Sequence, residues 1–174
     1  KNQAFDGLLP ALQSGKIDLI IAGMTVTDER KKAVDFSESY YTASQVIIVP
    51  ADNAAIKSFD DLKGKNVGVQ IGTTGDTVIS EIKEITNTKY NNGSEAVLAL
   101  TTQKVDAVVI DNEPAKNFVA KNTGLKVVDT GAVKEDYAIA IAKGNKELLD
   151  KVNTGLKTLK ENGKYDELIA KWFK

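Results

Sequence analysis

Short apolar runs alternate with amphipathic stretches along this chain. Residues 17–22, 45–49, 67–70, 105–110 and 125–128 are apolar runs of strand length, each bounded by Gly, Pro or polar residues. Residues 34–37 read as a further short strand, and 137–142 alternate like an extended return segment. Between the runs lie stretches with helical periodicity and start signals. Asp6 precedes a helix over 7–14, Thr27 one over 28–32, and Ser58 with Asp61 forms a capping-box pattern stopped at Gly64. A Gly72-Thr73-Thr74-Gly75 turn opens a helix over 76–85, whose stripe is Val78, Ile79, Ile82 and Ile85. Ser94 precedes a helix over 95–102, Asp111 one over 112–121, and Asn145 the longest, broken at Gly163 before a last helix over 164–173. Strands alternating with helices predict a mostly parallel α/β architecture.

One pattern occurs twice. Ala11-Leu12 followed by Lys16-Ile17-Asp18-Leu19-Ile20-Ile21 recurs 88 residues on as Ala99-Leu100 followed by Lys104-Val105-Asp106-Ala107-Val108-Val109. Each copy reads as a helix end, a turn and a strand, and each strand runs into small or polar residues. Ligands of open α/β sheets bind beyond the carboxyl ends of strands, so two such units predict two lobes facing a shared cleft. The small, polar stretch 51–55 reads as the crossover into the second lobe.

Composition narrows the chemistry. The chain has neither Cys nor His, which removes thiolate chemistry, disulfides, the commonest metal ligands and the commonest general base. A net charge of −1 gives no basic excess for nucleic acid. No apolar run approaches the roughly 20 residues of a membrane span. This favours binding over catalysis, with no cofactor or metal. The opening Lys1-Asn2-Gln3 has no initiator Met, which predicts that an upstream segment containing a targeting peptide has been removed.

Three polar constellations remain. In Gly23-Met24-Thr25-Val26-Thr27-Asp28-Glu29-Arg30, a Gly that admits close backbone approach, a Thr hydroxyl and a guanidinium suit a carboxylate; Arg30 pairing with a neighbouring surface acid is the alternative. The turn at Gln70-Ile71-Gly72-Thr73-Thr74 opens a helix, whose free amides favour an anion, although such turns are also common caps. It lacks the Gly-Lys-Ser/Thr ending of a phosphate loop. Asp111, at the end of the second repeat's strand, can accept from an ammonium group or cap the helix that follows. Phe5 can lie against a ligand, or serve as a core or lid residue. Together these groups match the two poles of a free amino acid.

The ordered motifs from Phe5-Asp6-Gly7-Leu8 through Ala22-Gly23-Met24-Thr25, Asp28-Glu29-Arg30-Lys31-Lys32, Val34-Asp35-Phe36-Ser37 and Gly72-Thr73-Thr74 to Asn162-Gly163-Lys164-Tyr165-Asp166 closely resemble the polar amino-acid-binding proteins of bacterial ABC importers. The resemblance implies an α/β, two-lobed, type II periplasmic-binding-protein-like fold with hinge strands. Lobe 1 would comprise 1–47 and 138–174, lobe 2 48–137, with hinges near 45–49 and 136–140. It implies that Arg30, the Thr25 region and the Thr73-Thr74 amides hold a ligand α-carboxylate. Asp111 and the Gly23 carbonyl would hold the α-ammonium, Phe5 would pack on the side chain, and Gln70 would tune specificity for arginine, lysine, histidine or glutamine. The implied partners are a free L-amino acid and an ABC permease in the membrane. The implied location is the periplasm, or the outer face of a Gram-positive cell as a lipoprotein. The family's leading strand–helix–strand unit is absent, which makes lobe 1 incomplete and predicts a domain-swapped or complemented assembly. Rival readings on the same scaffold are a dehydratase-type enzyme, with Glu113 or Asp76 as its general acid or base, and the sensor domain of a receptor or kinase.

Overall fold

The computed structural model describes residues 1–173 and resolves two compact units. The smaller contains Gly7–Thr42 and the chain from Glu135 onward; the larger contains Lys1–Asp6 and Ala43–Lys134. The chain passes between the units at three points: after Asp6, inside a 3-10 turn, so that 1–6 fall in the larger unit and not with 7–42, and after Thr42 and Lys134, inside continuous strands, a few residues before the expected 47/48 and 137/138 divisions. The stretch 51–55 lies inside the larger unit.

A 3-10 turn at Phe5–Gly7 carries the chain into the smaller unit and leads into α1 (Leu8–Gln13), so Asp6 is not the cap. β1 (Leu19–Ile20) follows, then α2 (Asp28–Ala33) and β2 (Val34–Phe36). The chain leaves along β3 (Tyr41–Pro50). The larger unit then adds β4 (Asn66–Gln70), α3 (Thr74–Glu81), β5 (Thr86–Tyr90), α4 (Gly93–Thr101), β6 (Ala107–Asp111) and α5 (Asn112–Lys121). The return runs along β7 (Leu125–Tyr137) to β8 (Ala140–Ala142), α6 (Lys146–Glu161) and α7 (Lys164–Trp172).

Five strands in the order β5-β4-β6-β3-β7 form the sheet of the larger unit. Its core explains why the apolar runs are continuous instead of alternating. Val46, Ile48, Val108 and Ile110 pack with Ala96, Val97 and Leu100 of α4, while Ile47, Val49, Ala107 and Val109 pack with Val67 and Val69 of β4 and Ile79 of α3. A strand covered on both faces needs apolar residues at every position. Each fully buried Val or Ile contributes about 1.5–3 kcal/mol.

The mostly parallel sheet expected from the alternation is found only in part. β4 runs parallel to β5 and β6, but β3 is antiparallel to β6, because it enters directly from the other unit without a crossover helix. The three-stranded sheet of the smaller unit, ordered β1-β8-β2, is antiparallel throughout its pairs. β5 has no apolar run in its sequence, Thr-Asn-Thr-Lys-Tyr, and forms as an edge strand beside β4. α3 stops at Glu81, short of the expected 85; Ile82 and Ile85 still pack on the α3 side of the core from a non-helical segment. The 17–22 run is paired over two residues only.

The repeat is reproduced in its hydrogen bonds. After α1, Gly15 N–H donates to Leu12 O at 3.1 Å and Lys16 N–H to Ala11 O at 3.0 Å. After α4, Gln103 N–H donates to Leu100 O at 3.1 Å and Lys104 N–H to Ala99 O at 2.8 Å. These paired bonds define the Schellman motif, and its left-handed residue is Gly15 (φ +70°) in one copy and Gln103 (φ +58°) in the other.

Candidate functional site

In the larger unit the site elements converge on the start of α3. Thr73 is the helix cap: its hydroxyl accepts from Asp76 N–H at 3.3 Å and donates to Gln70 O at 2.8 Å. That commits the Thr73 side chain and leaves the first-turn amides of α3 as the anion-attracting feature. Gly72 has φ +79°, and a Cβ there would lie 3.1 Å from Asp6 Cβ, so the segment next to Phe5 rests directly on this turn. Asp76, 6% exposed, fastens the turn from within. It accepts from Gly72 N–H at 3.0 Å, from Asn87 at 3.0 Å and from Lys89 at 2.9 Å. Burial alone would raise its pKa, but Lys89, the Gly72 amide and Asn87 together hold it below the usual carboxylate value.

Asp111 occupies the cap position of α5 without capping it through its side chain. Its Oδ1 accepts from Gln45 Nε2, which also donates to Thr74 Oγ1 at 3.0 Å. The register of β3 and β6 sets Gln45 directly opposite Asp111, which brings the two side chains to one face. Gln45 is 2% exposed. The sequence offered only a faint signal for it, a single amide at the head of an apolar strand. Phe5, Gln70, Thr73, Thr74 and Asp111 therefore all belong to the larger unit.

Gly23, Thr25 and Arg30 belong to the smaller unit. Gly23 has φ +59°, and a Cβ there would meet the Tyr137 ring at 3.2 Å, so both conformation and space call for glycine. Its N–H donates to Tyr40 Oη at 3.0 Å. Burial pushes the Tyr40 hydroxyl pKa up, against the opposing Gly23 N–H. The segment after Gly23 is laced to the returning chain: Val26 N–H donates to Asp136 O at 2.9 Å and Ala138 N–H to Met24 O at 3.2 Å. Thr25 is buried and donates its hydroxyl to Glu135 Oε2 at 2.8 Å. Thr27 caps α2 by accepting from Arg30 N–H at 3.1 Å, as the sequence predicted. Arg30 Nη1 donates to Thr25 O at 2.7 Å, so its head is aimed by the backbone of the segment that bridges to Tyr137. Sequence reasoning did not single out Glu135, Tyr40 or Tyr137.

Glu113 and Asp76, the acids of the enzyme alternative, both hold structural partners. Glu113 is buried and paired with Lys116 at 2.7 Å. Among the described residues no cluster of acids could hold a metal ion, and no helix is long and apolar enough to cross a membrane.

Residues 1–174 match the model of the bacterial extracellular solute-binding proteins, family 3, and the chain belongs to that family. A probable histidine-binding protein of Campylobacter jejuni is 38% identical over 173 residues, covering 97% of this chain and 66% of the relative. The arginine-binding extracellular protein ArtP of Bacillus subtilis is 38% identical over 175 residues, covering 97% of this chain and 68% of that protein. An ancestral arginine-binding protein, solved with arginine bound, superposes with a TM-score of 0.96 at 48% identity, covering all of this chain and 79% of that one. The chain thus spans about two thirds of the length of these curated relatives. The fold is the type II periplasmic-binding-protein fold. The relatives are named as binding proteins, which places this chain among ligand-binding proteins and not enzymes.

Proposed function

We propose that this chain is the amino-acid-binding component of an ABC importer, working outside the cytoplasmic membrane. In this reading Arg30, Thr25 and the Thr73-Thr74 amides grip the ligand α-carboxylate. Asp111 and the Gly23 carbonyl grip the α-ammonium, Phe5 packs on the side chain, and Gln70 tunes which polar or cationic amino acid is taken. The observation that carries the reading is the pairing of chemistries. One unit holds a guanidinium aimed by the Thr25 carbonyl, and the other holds a carboxylate beside a helix start. The names of the relatives favour arginine, histidine or glutamine as the ligand.

Closure about β3 and β7, the strands that run through the unit boundaries, would couple binding to delivery to a membrane permease. A ligand shifts that equilibrium only through contacts made better in the closed state. Calorimetry with arginine, lysine, histidine and glutamine tests the assignment. At least one should bind, and Arg30→Ala and Asp111→Ala should each weaken it roughly 10- to 100-fold, the scale of a lost charged hydrogen bond. Unchanged affinity in either variant overturns the role given to that residue.

A further inference from the structure

We propose that Gln45 is the positioning residue that assigns opposite polarities to Thr74 and Asp111 within the larger unit, an inference that rests on the amino-acid-binding reading above. A side-chain amide has two N–H donors on one atom, and here that atom serves both neighbours: Nε2 donates to Thr74 Oγ1 at 3.0 Å and to Asp111 Oδ1. An ionised carboxylate only accepts, so the nitrogen end of the amide must face Asp111. The same nitrogen then supplies a hydrogen to Thr74, whose hydroxyl accepts it and directs its own hydrogen to a different acceptor. One amide therefore makes Thr74 a donor, suited to the carboxylate of a ligand, and holds Asp111 as an oriented acceptor, suited to an ammonium.

Three features keep the amide in place. The β3–β6 register puts Gln45 opposite Asp111. Thr130 Oγ1 donates to the Gln45 carbonyl at 3.1 Å and ties β3 to β7 at this residue. Gly75, in the first turn of α3, is the third: a Cβ there would lie 2.8 Å from Gln45 Oε1, so the helix start can sit over the amide only because that side chain is missing. This role accounts for a buried amide in the middle of β3, directly before the apolar run Val46–Val49.

Two measurements test this. In the ligand-free chain, NMR of the Gln45 side-chain amide should show two protons protected from exchange, both moved by Asp111→Asn and by Thr74→Val. Resonances that neither substitution moves overturn the proposal, and this arm stands even if no amino acid binds. In calorimetry with arginine, Gln45→Met and Gly75→Ala should each weaken binding about 10-fold or more, with a cooperative thermal unfolding transition retained. The double variant Gln45→Met/Thr74→Val should lose less than the product of its single effects, because both act through one contact. Wild-type affinity in Gln45→Met, or fully multiplicative losses, would mean that Gln45 only fills space. Failure of the wild-type chain to bind any amino acid would instead count against the proposed function, leaving the NMR result to decide the role of Gln45.

Discussion

The two copies of the repeated helix–turn–strand segment share a helix ending but differ in what surrounds their strands. In the second copy, β6 lies inside a five-stranded sheet with β4 on one side and β3 on the other. In the first, β1 is an edge strand with β8 as its single partner in the sheet. Equivalent positions accordingly have opposite fates: Val109 is 1% exposed and Ile21 63% exposed. Gly23 and Asp111, two residues beyond this pair in each copy, are also equivalent, yet one contributes backbone against a tyrosine ring and the other a carboxylate. A local pattern can therefore fix a turn while leaving burial and chemistry to tertiary context.

Truncation at the equivalent apolar positions should separate the copies most. Val109→Ala should cost about 2–3 kcal/mol in urea unfolding, from lost transfer energy and a cavity, whereas Ile21→Ala should stay within about 0.5 kcal/mol. Equal costs would show that β1 is as well covered as β6. At the second equivalent pair, Gly23→Ala should lose about 1–3 kcal/mol, since a side chain there meets both a left-handed φ of +59° and the Tyr137 ring; an unchanged melting temperature would mean the segment relaxes at no cost. The smallest effect, about 1 kcal/mol, is expected at the helix endings, with opposite signs. Gln103→Gly should stabilise and Gly15→Ala should destabilise, because both residues occupy the left-handed position of the same motif. The same sign for both would break the equivalence of the two turns.

What could be read from the sequence was local. Thr27, Thr73 and Asn145 bond helix starts three residues ahead, and the Ser58–Asp61 capping box closes on itself, so short-range chemistry announces all of them. Where two residues fitted one role, the reading slipped: Asn92, not Ser94, caps α4. Asp111 looked like a cap because a helix follows it, but the cross-strand amide of Gln45 takes its carboxylate. That competition depends on the register of β3 against β6, 66 residues apart in the chain, and nothing local encodes it. β5 was invisible for a related reason: its polar residues become a strand only because β4 offers an open edge.

Asp76 gives the Gly72–Thr74 turn a built-in acid limit. The clasp depends on an ionised carboxylate whose proton affinity is lower in the folded chain than in the unfolded one. Its contribution is fully present above the unfolded value of about 3.9 and fades as the pH drops through the lower folded value. Across neutral and mildly acidic surroundings, such as those outside a bacterial cell, the loop stays clasped. Only strong acid would release it.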